Sequence, residues 1–531
     1  DALFSKLGAA YVAKQIALYN GTDHLYNCDL YNEMLPPSNS PAYLASATAG
    51  VYAALAEADP RAIWVMQGWL FHSRPEFWQE TQMKALLHAV PHGKLLVLDL
   101  YSEDSPVWSR TDSYYGTPFI WNMLHNFGGR SGMFARLTTI ANAADPKSPA
   151  FALAANATAT PSNQGGQLRG LGLTPEAIET NPIVYDLMME NVWRGTDGVT
   201  DLDAWVDRYA ERRYGLKRAD LQKGLLANRL LQNSVYDYHE STTDKQGTSG
   251  SIFAARPASV VPKVSCCDVT TLYYNASDVV KAWRLLVGAV ADAPQLAHRE
   301  AFLYDLVVCG VQALSNLALQ LHADVVASIG SNNLTAFDKA SGAFLSAANG
   351  ADSLLMTKQQ FLLGKWVASA KSWAESPPGA QGVCSAAGQR TPCGEEAISM
   401  HDCELLMCCF DVEAGKCFKA DPSDYLLYEQ NAKTLVTLWG PFDTHLHDYS
   451  YRLWADLVGS FYVPRWVQWF RGQRKALVDG KPYDQLAFDL SIELWEESWA
   501  LAPTNFTTET TGDAVEISEA LLKALFVPER V

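Results

Sequence analysis

Positive charge is what this sequence has least of: 41 Lys and Arg stand against 58 Asp and Glu, a formal charge of -17. Phosphate backbones are recognised by clustered cations, so nucleic acid is excluded as a partner class. No uninterrupted apolar run reaches the roughly 18 residues that span a bilayer, and no basic-then-apolar leader opens the chain. The sequence is therefore read as soluble, without a membrane span, and as already processed or truncated. It also lacks a Cys-His constellation, a glycine-rich phosphate loop and any metal-ligand spacing. No metal and no cofactor are expected.

What is present describes a folded chain. At 531 residues, 48% hydrophobic and 19% charged, whole-chain disorder is excluded and there is material for two or more domains. Two clues address the compartment. Five acceptor sequons occur, at Asn20, Asn156, Asn275, Asn333 and Asn505, and such sites matter only in the secretory pathway. Six of the ten cysteines crowd into one window, Cys384, Cys393, Cys403, Cys408, Cys409 and Cys417, a density that signals a disulfide framework under oxidising conditions. Together they favour lysosome, vacuole or extracellular space. Zinc is the competing reading of the cluster, but adjacent Cys-Cys and the absence of CxxC pairs weigh against it.

The pattern changes near residue 190. Before it, strand-length apolar runs at 62–69, 94–103, 117–129 and 169–178 alternate with helical stretches at 38–60 and 76–91. This is the β-α alternation of a parallel sheet with crossover helices. After it come long amphipathic patterns. Leu303, Leu306, Gly310, Leu314, Leu317 and Leu321 recur at steps of three or four, and Leu363, Trp366, Ala370 and Trp373 do the same, which predicts two core-facing stripes. Trp454, Trp466 and Trp469 at helical spacing are read as packing residues rather than sugar-stacking ones. The expected fold is α/β plus all-α: residues 1–190 as the C-terminal part of a (β/α)8 barrel, 191–531 as an all-helical domain, and 381–420 as a small disulfide-rich insertion within it. Only about five strand candidates are present against the eight of a closed barrel.

The stretch HLYNCDLYNEMLPP carries the most informative pair, Asn32-Glu33, directly after a strand-like segment. In a parallel barrel the residues past the carboxyl ends of the strands face a common pocket, so a glutamate there reads as chemistry; in isolation the same dipeptide is more often a cap or loop. Asp99, Glu103 and Glu176 also follow strand-like runs. Sequence alone does not choose among them for a second carboxylate. His125 in MLHNFGG is as consistent with a satisfied buried histidine as with a site residue.

GTDHLYNCDLYNEM, WVMQGWLF, GKLLVLDLYSE, PFIWNMLHNFGG, LGLTPEAIETNPIVYDLM, Arg-Arg-Tyr-Gly at 212–215, YYNASD and VTLWGP together make the chain similar to glycoside hydrolase family 89, the α-N-acetylglucosaminidases, over nearly its whole length. The resemblance implies a retaining exo-glycosidase acting on glycans that end in α-linked N-acetylglucosamine. It makes Glu33 the acid/base and Glu176 the nucleophile, and gives substrate-binding roles to Asn32, Trp69, Leu100, Leu124 and Phe127. From the helical half it adds Trp439 and Tyr449, although the loop around Phe442, His445 and His447 departs from the family pattern. The resemblance also implies a missing N-terminal segment as a covalent or processed partner; a homo-oligomer stays open.

The cysteine window separately resembles a trefoil (P-type) module. That resemblance implies the pairs Cys384 with Cys409, Cys393 with Cys408, and Cys403 with Cys417, a pairing that sequence alone leaves open. Of the rest, Cys309 is expected in a core, while Cys28, Cys266 and Cys267 are not readable. Two rival functions stand beside the main one: a retaining glycosidase for another sugar, and a non-catalytic glycan-binding or assembly subunit.

Overall fold

Five short strands lie side by side in one sheet: β1 Leu25–Asn27, β2 Ile63–Gln67, β3 Leu95–Asp99, β4 Phe119–Met123 and β5 Leu168–Leu173. Their spatial order follows the chain order and all four pairings are parallel. The computed structural model describes residues 2–142, 168–177, 180–194, 198–238, 249–264, 269–374, 392–394, 398–405, 408–411, 414–419, 424–437 and 451–526. Two compact units emerge. One comprises residues 1–127, 135–205 and 236–243; the other comprises 128–134, 206–235 and 244–531.

In the first unit, parallel pairing demands a crossover after each strand. Pro41–Ala58 and Glu80–Leu87 supply two of them as helices and pack on each other. Pro41 sits in the first turn, where its missing N–H costs nothing. One face of the central strands is sealed: Trp64 and Met66 on β2 and Leu95 and Val97 on β3 are fully or almost fully buried, while the alternate residues are half-buried. The helix Ala2–Leu18 turns Ala9 and Val12 inward, whereas Leu3, Phe4, Leu7 and Tyr11 are exposed.

The second unit is helical. Glu300–Gly330 packs along Leu334–Leu355, and Ala276–Asp292, Val463–Asp479 and Ala514–Leu525 complete its core. Glu300–Gly330 is long and apolar enough to cross a membrane by length and composition, yet 67% of its apolar window is buried inside this unit. Trp454, Trp466 and Trp469 are buried, the last two completely, and Trp466 packs on Phe344. Inside the same core Glu496 is fully buried between Arg465 and Arg256, each 2.7 Å away.

One expected stripe is corrected. Leu363 is buried, but Trp366 is 40% and Trp373 74% exposed. The buried face of the helix Leu363–Lys371 is Leu363, Gly364 and Val367. A side chain at Gly364 would collide with the main-chain carbonyl of Thr507, so this helix packs backbone against backbone on its small-residue side. Periodicity fixed the angle of the stripe and not which stripe faced inward.

In the cysteine window, β6 Cys408–Asp411 and β7 Lys416–Lys419 form an antiparallel pair, and a disulfide joins Cys403 to Cys417. Cys393 is also disulfide-bonded. Cys384 and the side chains of Cys408 and Cys409 lie outside the described residues, as do Cys266 and Cys267. Cys28 is exposed and Cys309 buried, both as free thiols.

Candidate active site

The chain after β1 does not continue as a strand. Tyr31 and Asn32 both adopt left-handed backbone, with φ of 71° and 44°, and Met34 N–H closes a turn onto the Tyr31 carbonyl at 2.7 Å. Asparagine tolerates that conformation better than most residues. The turn presents Glu33 at the surface, where two residues from the β2 loop hold it. The indole N–H of Trp69 donates to Glu33 Oε1 at 2.8 Å, and Arg74 Nε donates to the Glu33 main-chain carbonyl at 3.1 Å.

Trp69 reaches this position because Gly68 follows β2 directly. A Cβ there would stand 2.8 Å from the Tyr114 hydroxyl and 2.9 Å from the Leu98 carbonyl, and Gly68 N–H bonds that carbonyl. Trp69 then packs on His72 at 4.7 Å and on Phe127 at 6.1 Å between ring centroids. Tyr101 closes the group, 5.0 Å from Phe127 and 5.9 Å from His72. The loops after β2, β3 and β4 thus share one aromatic wall, and Glu33 hangs from its edge. Leu100 and Leu124, in the loops after β3 and β4, are almost fully buried.

The two carboxylates after β3 behave differently. Asp99 is completely buried and accepts hydrogen bonds from the Tyr114 hydroxyl, from Ser102 Oγ at 2.7 Å and from Val107 N–H at 3.1 Å. Glu103 accepts from Leu124 N–H at 3.0 Å and His125 N–H at 2.6 Å. Burial pushes Asp99 up to about 6 and Glu103 up to about 7, because desolvation penalises the charged form more than these donors favour it. Arg136, paired with Asp104 at 2.5 Å, supplies positive charge that pulls Glu103 partly back. Burial and the same arginine hold His125 down at about 3, so its ring is neutral, with Nε2 3.2 Å from Asn181 Nδ2. Neither carboxylate nor this histidine reaches solvent, so all three serve as internal fixtures of the loops.

Glu176 resembles Glu33 instead. It is exposed, three residues past β5, and its N–H bonds the carbonyl of Asn126 at 3.1 Å. Asn126 also donates from its side chain to Thr180 Oγ1 at 2.8 Å. Of the expected site residues, Glu33, Asn32, Trp69 and Phe127 come together directly, and Glu176 stands on the loop bonded to that of Phe127. Trp439 and Tyr449 lie outside the described residues. Sequence reading passed over His72, Tyr101, Arg74 and Arg136. Tyr101 carried a signal, since it lies in the strand-end run LDLYSE; Arg74 carried none.

Comparison with known proteins places this geometry. The model of the α-N-acetylglucosaminidase (NAGLU) TIM-barrel domain matches residues 1–195, and that of the NAGLU C-terminal domain matches 205–392 and 412–524. The chain belongs to the α-N-acetylglucosaminidase family. Human α-N-acetylglucosaminidase is 34% identical over 522 residues, 98% of this chain and 60% of the human protein. A family 89 glycoside hydrolase from Clostridium perfringens superposes with a TM-score of 0.78 in complexes with PUGNAc and with 2-acetamido-1,2-dideoxynojirimycin, at 26% and 25% identity. Those superpositions cover all of this chain and 52% of the bacterial one. The chain therefore spans little more than half the length of these relatives.

Proposed function

We propose that this chain hydrolyses terminal, non-reducing α-linked N-acetylglucosamine from glycans with retention. The observation that carries the proposal is the contrast among the four candidate carboxylates in a member of this family: Glu33 and Glu176 are exposed, while Asp99 and Glu103 are sealed. Retention needs a carboxylic acid to protonate the leaving oxygen and a carboxylate about 5 to 5.5 Å away to attack the anomeric carbon. Glu176 attacks as the bond to the aglycone breaks, and Glu33 delivers the proton to the departing oxygen. A covalent glycosyl-enzyme results. Glu33, now a carboxylate, takes a proton from water, whose oxygen displaces Glu176 and releases the sugar with its original anomeric configuration. Asn32, Trp69 and Phe127 line the sugar, with Leu100 and Leu124 behind them; Trp439 and Tyr449 are proposed to complete the wall.

The sheet sets a condition on this chemistry. Four inter-strand steps of about 4.8 Å would part β1 and β5 by roughly 19 Å if the sheet were flat, so the pair cooperates only on a strongly curved, barrel-like sheet. The exposed apolar residues Leu3, Phe4, Leu7 and Tyr11 support a further barrel segment packing beside the first helix, as the proposed partner. The exposed sequons Asn20, Asn275, Asn333 and Asn505 support a secretory or lysosomal setting; Asn156 lies outside the described residues. The C-terminal family model skips residues 393–411, which supports an insertion within the cysteine window, and the Cys403–Cys417 disulfide is one of the pairs that the trefoil resemblance implies.

The test is turnover of an aryl α-N-acetylglucosaminide by the intact chain, by Glu33→Gln and by Glu176→Gln. Turnover in the first and its collapse in both variants is expected; full activity in both variants overturns the mechanism. Binding of the glycan without turnover by the intact chain would favour a glycan-binding subunit instead.

A further inference from the structure

Glu103 is a polar group the proposed reaction does not use, and its placement is costly. Its side chain is buried, and desolvation opposes its charge. A buried carboxylate persists where its acceptors are needed. Both oxygens point at one turn: Oε1 and Oε2 lie 3.0 and 3.2 Å from Leu124 N, and Oε1 lies 2.6 Å from His125 N. That turn is strained, with His125 at φ 59° and Asn126 N–H folded back to the Leu124 carbonyl at 2.6 Å. Strain of this kind persists only where surrounding contacts over-determine it. The far end of the same turn carries the Asn126 carbonyl that receives the Glu176 N–H, and the Asn126 side chain ties the loop again at Thr180. A continuous path of hydrogen bonds therefore leads from the Glu103 carboxylate through residues 124–126 to the backbone of Glu176.

We propose that Glu103 is a positioning residue that fixes Glu176 for attack on the anomeric carbon by locking the Leu124–Asn126 turn. The inference rests on the reading of Glu176 as nucleophile and goes beyond it by assigning the group that sets its aim. A carboxylate suits this task because it only accepts hydrogen bonds. Glutamine of the same volume would leave one accepting oxygen for the two main-chain N–H groups and set an NH2 against that of Leu124.

Glu103→Gln and, as a milder cut in the same path, Thr180→Val test the inference in the full chain. With aryl α-N-acetylglucosaminides, Glu103→Gln is expected to lower kcat about 10- to 100-fold and to leave KM within about threefold, as a misaimed reacting group does. The loss in kcat/KM is expected to be equal for a 2,4-dinitrophenyl and a phenyl leaving group, because proton donation by Glu33 is untouched; Glu33→Gln, in contrast, spares kcat/KM for the activated substrate, though not kcat, since Glu33 is also the base of the second step. Thr180→Val shifts kcat in the same direction by a smaller factor. Amide hydrogen exchange supplies a readout that does not depend on turnover: the Glu176 amide exchanges faster in Glu103→Gln while those of β2 do not. Wild-type kcat in Glu103→Gln, a loss confined to the phenyl substrate, or unchanged protection at Glu176 would each overturn the inference. Failure of the unsubstituted chain to hydrolyse either substrate would strike the proposed function instead, and the exchange measurement still decides whether Glu103 controls the Glu176 loop.

Discussion

The edges and the centre of the five-stranded sheet treat one residue type in opposite ways. Past β1 and β5, Glu33 and Glu176 stand in solvent, Glu33 held by Trp69 and Arg74 and the Glu176 N–H bonded to the Asn126 carbonyl. Past β3, Asp99 and Glu103 are sealed and saturated with donors from Tyr114, Ser102, Val107, Leu124 and His125. Among these four carboxylates, covering separates the exposed pair of the proposed reaction from the pair that reinforces the loops. The strain follows the same logic. Among the described residues, eleven of the thirteen non-glycine residues with left-handed backbone belong to the sheet-bearing unit, and Tyr31, Asn32, Tyr101 and His125 sit in strand-end loops.

Breaking the exposed pair has the largest expected effect. Glu176→Gln and Glu33→Gln each reduce turnover of a phenyl α-N-acetylglucosaminide by about 10³-fold or more while thermal unfolding stays within a degree or two, because an exposed side chain adds little to the fold. Steady-state kinetics beside a melting curve checks both halves.

The sealed pair should respond in stability. Asp99→Asn leaves one of three buried donors facing an NH2 and is expected to cost about 1–3 kcal/mol, read from denaturant midpoints. The helical unit offers a control outside the sheet. Glu496→Ala strands Arg465 in the core and should cost about 3 kcal/mol or more, with no direct effect on the carboxylate chemistry.

The pH response sharpens the contrast further. Asp99 and Asp352 are held at about 6 and Glu103 at about 7, all above their unfolded values, so the folded chain binds more protons than the unfolded one between about pH 4 and 7. Their contribution is fully present below about pH 4 and is lost as pH rises through 6 to 7. His125, held down at about 3, opposes this below about pH 6.5. Burial also lowers His322 and raises Asp456 and Glu497; with the raised carboxyls in the majority, the melting temperature is expected to be higher at pH 5.5 than at pH 7.5. Asp99→Asn should flatten the difference.

The smallest expected effect is at the wall. Trp69→Phe keeps the ring contact with Phe127 but removes the N–H to Glu33, and should slow phenyl substrates several-fold with less effect on the dinitrophenyl one.

How far the sequence could be read depended on what each residue's signal recorded. Strands 62–69, 94–103, 117–129 and 169–178 were legible because one face is buried and the other half-covered in β2 and β3, which writes a nearly continuous apolar run. Asn32-Glu33 was legible as a strand-end address, and its left-handed turn agrees with asparagine. The choice of Glu176 over Asp99 and Glu103 was not legible, since all three follow strands and differ only in what later packs over them. The same reason misled the Trp366 and Trp373 stripe, where a glycine face won the packing. Arg74 and Arg136 left no trace because their partners, the Glu33 carbonyl and Asp104, are set by loop geometry rather than by spacing.

By itself, then, the sequence determined the order of strands and helices, the change of character near residue 190 and the positions where carboxylates leave strands. These are matters of local period and residue type, which the chain carries wherever it goes. Only tertiary structure decided which carboxylates meet water, which tryptophans are core, and that Glu103 is tied through a strained turn to Glu176. Burial and long-range hydrogen bonding depend on residues brought together from distant parts of the chain, and no local pattern records them.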